Sequence, residues 1–400
     1  MDGDIVLVRP VLPPPDEVGR AVAEVFTSRV LTNDGPRVRR LESLLAAELG
    51  IGGVAVTASG TTAIQLACAA LDLTGEVLVP AAAFPAVSQA VLRAGARPVG
   101  VDVEPEYLTL DPAAVRAALT PRTKAILAVH TFGCPADVDA LSALATAAGI
   151  PLVYDGATCW GVSYRGKPLL SYGDVATLSL HAMKLTHAVE GGAVVCQDTA
   201  LAAKVRRLRN FGIGEAGALP AGTNARMSEV HAAIGALVLA ESGAEIARRT
   251  EVRRRYEDGL ADIGWLEPVP FRPDAGPNVA AMAVRLVPDA PVTAAALCEV
   301  LHHHGVHARA YFAGRYRPRR LPRSGPAPVA DAASAAIVCL PFWGGLTEHD
   351  VGRVIDALSR IGAGARRRGT RHAPVVQPAG DPAALVSDGA AGLGGPGRRA

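Results

Sequence analysis

Apolar and polar positions follow a regular strand–helix rhythm from about residue 37 to residue 200. Seven short runs rich in β-branched residues, at 54–57, 76–79, 97–101, 124–129, 151–154, 175–179 and 193–196, have the length of strands. Most are separated by Ala- and Leu-rich stretches of helical spacing, such as 61–71, 112–119 and 137–148. This alternation predicts an α/β fold: a large domain with a mostly parallel seven-stranded sheet between helices. Longer helices are expected near 198–210 and 227–262. A smaller C-terminal α+β domain should follow from about 265 to 361, with helices near 293–304 and 347–361. Residues 1–35, with Pro10, Pro13, Pro14, Pro15 and one short amphipathic helix, read as an N-terminal arm. Beyond Gly362 the periodicity dissolves into Gly, Ala, Pro and Arg, so 363–400 should be a disordered tail. The expected division is therefore arm 1–35, large domain 36–250, small domain 251–362 and tail 363–400.

Composition narrows the function classes. The 400 residues are 50% apolar, enough for a sizeable core. Lys and Arg number 40 against 38 Asp and Glu, a net charge of +2 that argues against nucleic acid or a membrane surface as the main partner. Six cysteines lie far apart with no C-x-x-C pair, so they read as reduced apolar residues and no metal is expected. The start, Met1-Asp2-Gly3-Asp4, is unlike a signal peptide, and no apolar run reaches the roughly 18 residues of a membrane span. A cytoplasmic protein is expected. Only four of the basic residues are lysines: Lys124, Lys167, Lys184 and Lys204. Chemistry that needs a deprotonated amine has no other side chains to use, because arginine stays charged.

Two motifs are tempting and fail on context. Gly212-Ile-Gly214-Glu-Ala-Gly217 matches G-x-G-x-x-G. A dinucleotide fingerprint needs a strand before it and a helix after it, and here a charged helix precedes. His302-His303-His304 with His307 lacks nearby carboxylates or Cys at metal-ligand spacing, and a helix end accounts for it better.

Four other elements point to one chemistry together. After the first strand, Ala58-Ser59-Gly60-Thr61-Thr62 opens a helix whose free N–H groups and hydroxyls could cup a phosphate, although an ordinary Ser/Thr cap has the same look. Asp155 directly follows the apolar run 151–154, at the strand end where open α/β sheets bind ligands. Lys184 sits among Leu180, Ala182, Met183 and Leu185, which would depress its pKa, whereas the other three lysines have solvated neighbours. Gly222-Thr223-Asn224-Ala225-Arg226-Met227 opens the long helix. A phosphate cup, an acid at a strand end and a semi-buried lysine about 30 residues later are what pyridoxal phosphate requires. The lysine makes the Schiff base, the acid holds the pyridine nitrogen protonated, and the cup takes the phosphate.

Over roughly residues 28–362 the chain resembles the DegT/StrS family of pyridoxal-phosphate sugar aminotransferases, of fold type I. The resemblance rests on Leu31-Thr-Asn-Asp-Gly-Pro36, Ser59-Gly-Thr-Thr62, Pro80-Ala-Ala-Ala-Phe84, Gly133-Cys-Pro-Ala-Asp137, Asp155-Gly-Ala157, Ser179-x-His181-Ala-Met-Lys184, Glu190-Gly-Gly192 and Gly222-x-Asn224-x-Arg226-Met227. It implies that Lys184 bonds the cofactor and shuttles the proton, that Asp155 pairs with the pyridine nitrogen, and that Phe84 stacks on the ring. It further implies that Gly60, Thr61 and Ser179 bind the phosphate and that Asn224 reaches it from a second subunit, hence a homodimer with a shared site. Arg226, His181 and Trp160 are the substrate-side candidates. Two positions depart from the family pattern. Thr158 stands where Gln or His usually bonds the cofactor's phenolic oxygen, so that contact would be lost or water-mediated. Trp160 stands where many members have His, although a branch acting on 4-keto-6-deoxy sugars commonly has an aromatic there; His181-Ala182 and His187-Ala-Val-Glu190 look like that branch. The resemblance thus implies a ping-pong aminotransferase taking its amino group, by family analogy, from L-glutamate and passing it to a keto carbon of a nucleotide-linked deoxysugar. A cyclitol substrate and a non-catalytic, cofactor-binding regulatory role are the alternatives.

Overall fold

The computed structural model describes residues 3–215, 217–312 and 321–367. Strands β1 (Gly53–Thr57), β2 (Glu76–Pro80), β3 (Arg97–Val101), β4 (Thr123–Val129) and β5 (Leu152–Asp155) are followed by a hairpin of β6 (Ser163–Tyr164) and β7 (Lys167–Pro168), then by β8 (Val175–Ser179) and β9 (Gly192–Cys196). Seven of these form one sheet in the order β1-β9-β8-β5-β4-β2-β3. Only β9 runs antiparallel to its neighbours β1 and β8; the other pairs are parallel. Every residue of β1, β2, β8 and β9 is buried. Both faces of the sheet are covered, which is why these strands read as continuous apolar runs and not as alternation. The seven expected strands are all present, displaced by a residue at most at either end.

The helices that cover this sheet begin where their sequences allow. Proline, whose missing N–H costs nothing in a first turn, opens α1 (Pro15–Ser28), α2 (Pro36–Leu49), α4 (Pro85–Arg93) and α5 (Pro112–Ala118). Side-chain caps open α3 (Gly60–Ala70), α6 (Val138–Ala148) and α7 (Thr199–Leu208). Leu41 and Leu45 of α2 and Leu141 of α6 pack in the core on one face, while Ile64 of α3, Val87 of α4 and Val205 of α7 pack on the other.

The single helix expected at 227–262 is two helices, α8 (Glu229–Ala240) and α9 (Ser242–Leu260), bent by 56° at Glu241. The two halves have different destinations. Apolar α8 lies against α1 and α2, whereas α9 is charged and carries Val252, Tyr256 and Leu260 into the core of the C-terminal unit. That unit is a four-stranded antiparallel sheet of β10 (Leu266–Pro268), β12 (Met282–Leu286), β14 (Ile337–Leu340) and β13 (Arg309–Ala310). It carries α10 (Ala294–His303), α11 (Pro328–Ala336) and α12 (Glu348–Arg367). Between the two units, β11 (Ala275–Gly276) pairs with the β6–β7 hairpin. Helix α9 crosses the expected boundary at 250. Helix α12 continues to Arg367, past the helix end expected near 361 and into the expected tail, whose residues 368–400 lie outside the described residues. The N-terminal arm is built into both units: Ile5 belongs to the C-terminal core, and α1 packs on α8. Among the described residues, no single helix is long and apolar enough to cross a membrane.

Candidate active site

The strand ends of β1, β9 and β8 meet the start of α3. Ser59 caps that helix reciprocally with Thr62: its Oγ accepts from the Thr62 N–H at 3.2 Å, and Thr62 Oγ1 accepts from the Ser59 N–H at 3.0 Å. The N–H groups of Gly60 and Thr61 are left without an acceptor among the described residues. Glycine at 60 and 192 is a steric requirement: a Cβ on Gly60 would lie 2.9 Å from Ser179 Cβ, and one on Gly192 only 2.5 Å from the Ser59 carbonyl oxygen. Ser179, last in β8, is opposite Gly192 and makes one long contact, accepting from the His181 N–H at 3.4 Å. Two orphan helix N–H groups and a hydroxyl thus converge on one spot, the chemistry of an anion cradle.

Asp155 ends the neighbouring strand β5, paired with Thr177 of β8. It is 7% exposed, and its carboxylate accepts one hydrogen bond, from the Ala157 N–H at 2.9 Å. Burial pushes its carboxyl above the ordinary value, opposed by the Ala157 N–H and the charge of Lys184. Lys184 lies in the turn between β8 and β9, its N–H bonded to the His181 carbonyl at 2.8 Å. Burial pushes its ammonium pKa down, against the pull of Asp155 and Cys159. The amine donates no hydrogen bond among the described residues. An acid and an amine therefore feel each other's charge in a desolvated place without pairing.

Behind Asp155, the His130 N–H donates to the Asp155 carbonyl at 3.0 Å, and the His130 ring stacks on Tyr154 at 4.4 Å. Burial lowers the His130 pKa to about 3, so the ring is neutral across the physiological range. Sequence reading missed His130, whose only local signal is its place at the end of β4.

The other candidates are distributed around this centre. Phe84 caps α4 after β2 and is half exposed. Thr158 is partly buried, its carbonyl near Gly133, and its hydroxyl has no partner among the described residues. Trp160 is 6% exposed and belongs to the core cluster on one sheet face, which leaves only an edge for a ligand. His181 is partly exposed; its Nδ1 accepts from the Met183 N–H, and its Nε2 lies 3.5 Å from Glu190. The loop with Asn224 and Arg226 is fastened beside the cradle by the Ala58 N–H donating to the Ala225 carbonyl at 2.8 Å. Asn224 is exposed there. Arg226 donates to Asn210 Oδ1 at 2.6 Å and lies 5.2 Å over the Phe211 ring. Gly212 to Glu215 and Gly217 lie in the loop between α7 and α8, and residues 216 and 313–320 are outside the described residues. His302 and His303 close α10, while His307 contacts Asp4 at 3.0 Å.

This donor set fits pyridoxal 5′-phosphate. The cradle offers donors to a phosphate, Asp155 has an oxygen free to accept from a protonated ring nitrogen, and Lys184 supplies an amine whose proton is easily lost.

Comparison with known proteins agrees. The DegT/DnrJ/EryC1/StrS aminotransferase family model matches residues 15–359. A dTDP-4-amino-4,6-dideoxy-D-glucose transaminase of Shigella dysenteriae is 33% identical over 313 residues, covering 78% of this chain and 85% of its own. The GDP-perosamine synthase of Caulobacter vibrioides is 33% identical over 348 residues, covering 85% and 94%. The solved structure of DesI in the presence of its TDP-sugar product superposes with a TM-score of 0.85 at 33% identity, covering 92% of this chain and 96% of that one.

Proposed function

The chain belongs to the DegT/DnrJ/EryC1/StrS aminotransferase family and is a pyridoxal-phosphate-dependent aminotransferase; from that premise we propose that it aminates the keto carbon of a nucleotide-linked 4-keto-6-deoxysugar, with L-glutamate as donor. It works as a cytoplasmic homodimer in which Asn224 of each subunit completes the other's phosphate site. The similarity to a dTDP-4-amino-4,6-dideoxy-D-glucose transaminase supports the 4-position. One observation carries the reading of the site: orphan donors at Gly60 and Thr61 share a set of strand ends with an unpaired Asp155 and Lys184.

In this reading the Gly60 and Thr61 N–H groups and the Ser179 hydroxyl hold the phosphate. The Asp155 carboxylate would accept the ring N–H, and Phe84 would stack on the ring. Pyridoxal phosphate, when bound, supplies an electron sink that stabilises negative charge at a substrate carbon. Lys184 then takes the proton from the donor's α-carbon and, in the second half-reaction, delivers one to the sugar carbon that bears nitrogen. Its lowered pKa makes the free amine easier to reach than that of a solvated lysine.

The test is product identification after incubation with L-glutamate and a panel of 3-keto and 4-keto sugar nucleotides and scyllo-inosose. Amine at C4 of a 6-deoxysugar is expected. Amination of scyllo-inosose alone would move the substrate to a cyclitol, and amination of a 3-keto sugar alone would move the position.

A further inference from the structure

The Pro-rich lead-in to α1 has no part in the site as described, yet it is tied down at Ile5, Val6, Leu7 and Val11. Ile5 forms a parallel bridge with Val306. Its N–H donates to the Gly305 carbonyl at 2.7 Å, and its carbonyl accepts from the His307 N–H at 2.9 Å. The side chain is 3% exposed in the core of the C-terminal unit. The next carbonyls are held in the same way: Val6 accepts from Trp343 Nε1 at 3.3 Å and Leu7 from the Phe342 N–H at 2.9 Å. The segment then leaves this unit, and Val11 presents its carbonyl to His187, 176 positions later in the chain.

His187 sits three residues after Lys184 in the same turn. It is 2% exposed, and both ring nitrogens are committed. Nε2 lies 2.7 Å from the Val11 carbonyl, which can only accept. Nδ1 lies 3.3 Å from the Val189 N–H, which can only donate. The ring is therefore neutral with its proton on Nε2, because no other tautomer satisfies both contacts. The Val189 bond matters for the turn. Val189 has φ +66°, a left-handed conformation that a β-branched residue adopts only under outside support. Its carbonyl in turn accepts from the Ala182 N–H at 2.8 Å, closing the loop that carries Lys184.

We infer that residues 5–11 are a strap from the small domain to the Lys184 turn, and that His187 is the buckle that converts its hold into the position of the lysine. Proline at 10 limits the backbone freedom of the strap, which lowers the conformational entropy lost on fixing it. His187 touches no reacting atom in this scheme. It is a positioning residue, and its relevance to catalysis rests on the reading of Lys184 given above.

The two contacts can be cut separately in the full-length chain. His187→Gln retains an amide N–H able to reach Val11; His187→Asn retains a carbonyl oxygen able to take the Val189 N–H; His187→Ala retains neither. Hydrogen exchange in the cofactor-free protein reads the result without turnover. In His187→Ala, amides in both 5–12 and 180–192 should exchange about tenfold faster, the effect of one lost buried hydrogen bond, with β2–β4 unchanged. His187→Gln should protect 5–12 alone and His187→Asn 180–192 alone. Ile5→Ala approaches from the far end and keeps the buckle intact, so it serves if the His187 variants do not fold. It should loosen 180–192 as well as 3–12. With the cofactor bound, kcat should fall in His187→Ala while KM for the sugar holds. Exchange in 180–192 that ignores both Ile5→Ala and His187→Ala would overturn the strap. Coupled exchange in a protein that aminates no substrate would leave the strap standing and remove the reading of Lys184.

Discussion

Two of the places where this chain withdraws charge from water do so under opposite terms. Where α2, β1 and α7 meet, Arg209 is 1% exposed. It donates to Glu42 Oε1 at 2.6 Å, to Asp34 Oδ1 at 2.7 Å and to the Val56 carbonyl. Glu42 also accepts from the Val56 N–H at 3.0 Å and from Arg206 Nε at 2.9 Å. Only Arg209 Nε lacks an acceptor. At the ends of β5 and β8, Asp155 accepts a single side-chain hydrogen bond and the Lys184 amine donates none among the described residues. The first cluster spends its capacity on the fold. The second holds its capacity open, as a site for a polar ligand requires. Burial alone marks neither site; what separates them is whether the buried groups are satisfied.

The sharpest way to break this contrast is to unpair the first cluster. Glu42→Ala leaves Arg209 buried with one carboxylate partner and should cost about 3–5 kcal/mol of stability, read by urea unfolding. A loss under 1 kcal/mol would mean that the cluster is not structural. Lys184→Met should go the other way. Removing a desolvated, unpaired ammonium should raise the stability of the cofactor-free protein by about 0.5–2 kcal/mol while abolishing amination, the usual exchange of function for stability. No gain would show the amine to be solvated or paired in solution.

The pH dependence of these two groups runs in opposite directions. Asp155 has a folded pKa above the ordinary 3.8, so the folded state binds its proton more tightly than the unfolded state does. Stability of the cofactor-free protein should fall as pH rises from 3.8 through that raised value, and Asp155→Asn should remove the fall. Lys184 has a folded pKa below 10.5. Its penalty is complete below that lowered value and should be relieved as pH climbs from it towards 10.5, an effect absent in Lys184→Met. Denaturation midpoints across pH, wild type against each variant, measure both signs. The smallest expected effect is at the cradle's edge. Ser59→Ala removes one half of a capping box and should cost about 1 kcal/mol, with a larger loss in cofactor affinity than in stability if the cap also aims the Gly60 and Thr61 N–H groups. Equal losses would reduce Ser59 to an ordinary cap.

Much of this contrast was legible from residue order, for physical reasons that differ by element. The seven strands were visible because both sheet faces are covered, which forces short unbroken β-branched runs between turns. Asp155 and Lys184 were visible because each sits beside such a run, in an apolar context unusual for its type. The 56° bend at Glu241 was not, since one helical periodicity runs through 227–262 and only the two packing partners separate its halves. The orphan N–H groups were half visible: Ser59-Gly60-Thr61-Thr62 has the look of a cap with or without a ligand. The strap was invisible. His187 and Val11 are 176 positions apart, and a backbone carbonyl carries no sequence signature. Motif order could name the neighbourhood of His187 without assigning it a task.

The central claim is that Lys184 is the amine held in reserve. The most direct test adds pyridoxal phosphate to wild-type and Lys184→Ala protein at equal concentration and follows visible absorbance before and after L-glutamate. Wild type should acquire the band of a lysine-linked cofactor, and glutamate should bleach it. Lys184→Ala should show neither the band nor the bleaching, while retaining non-covalent affinity through the cradle. A Lys184→Ala protein that still forms the band and still responds to glutamate would contradict the account.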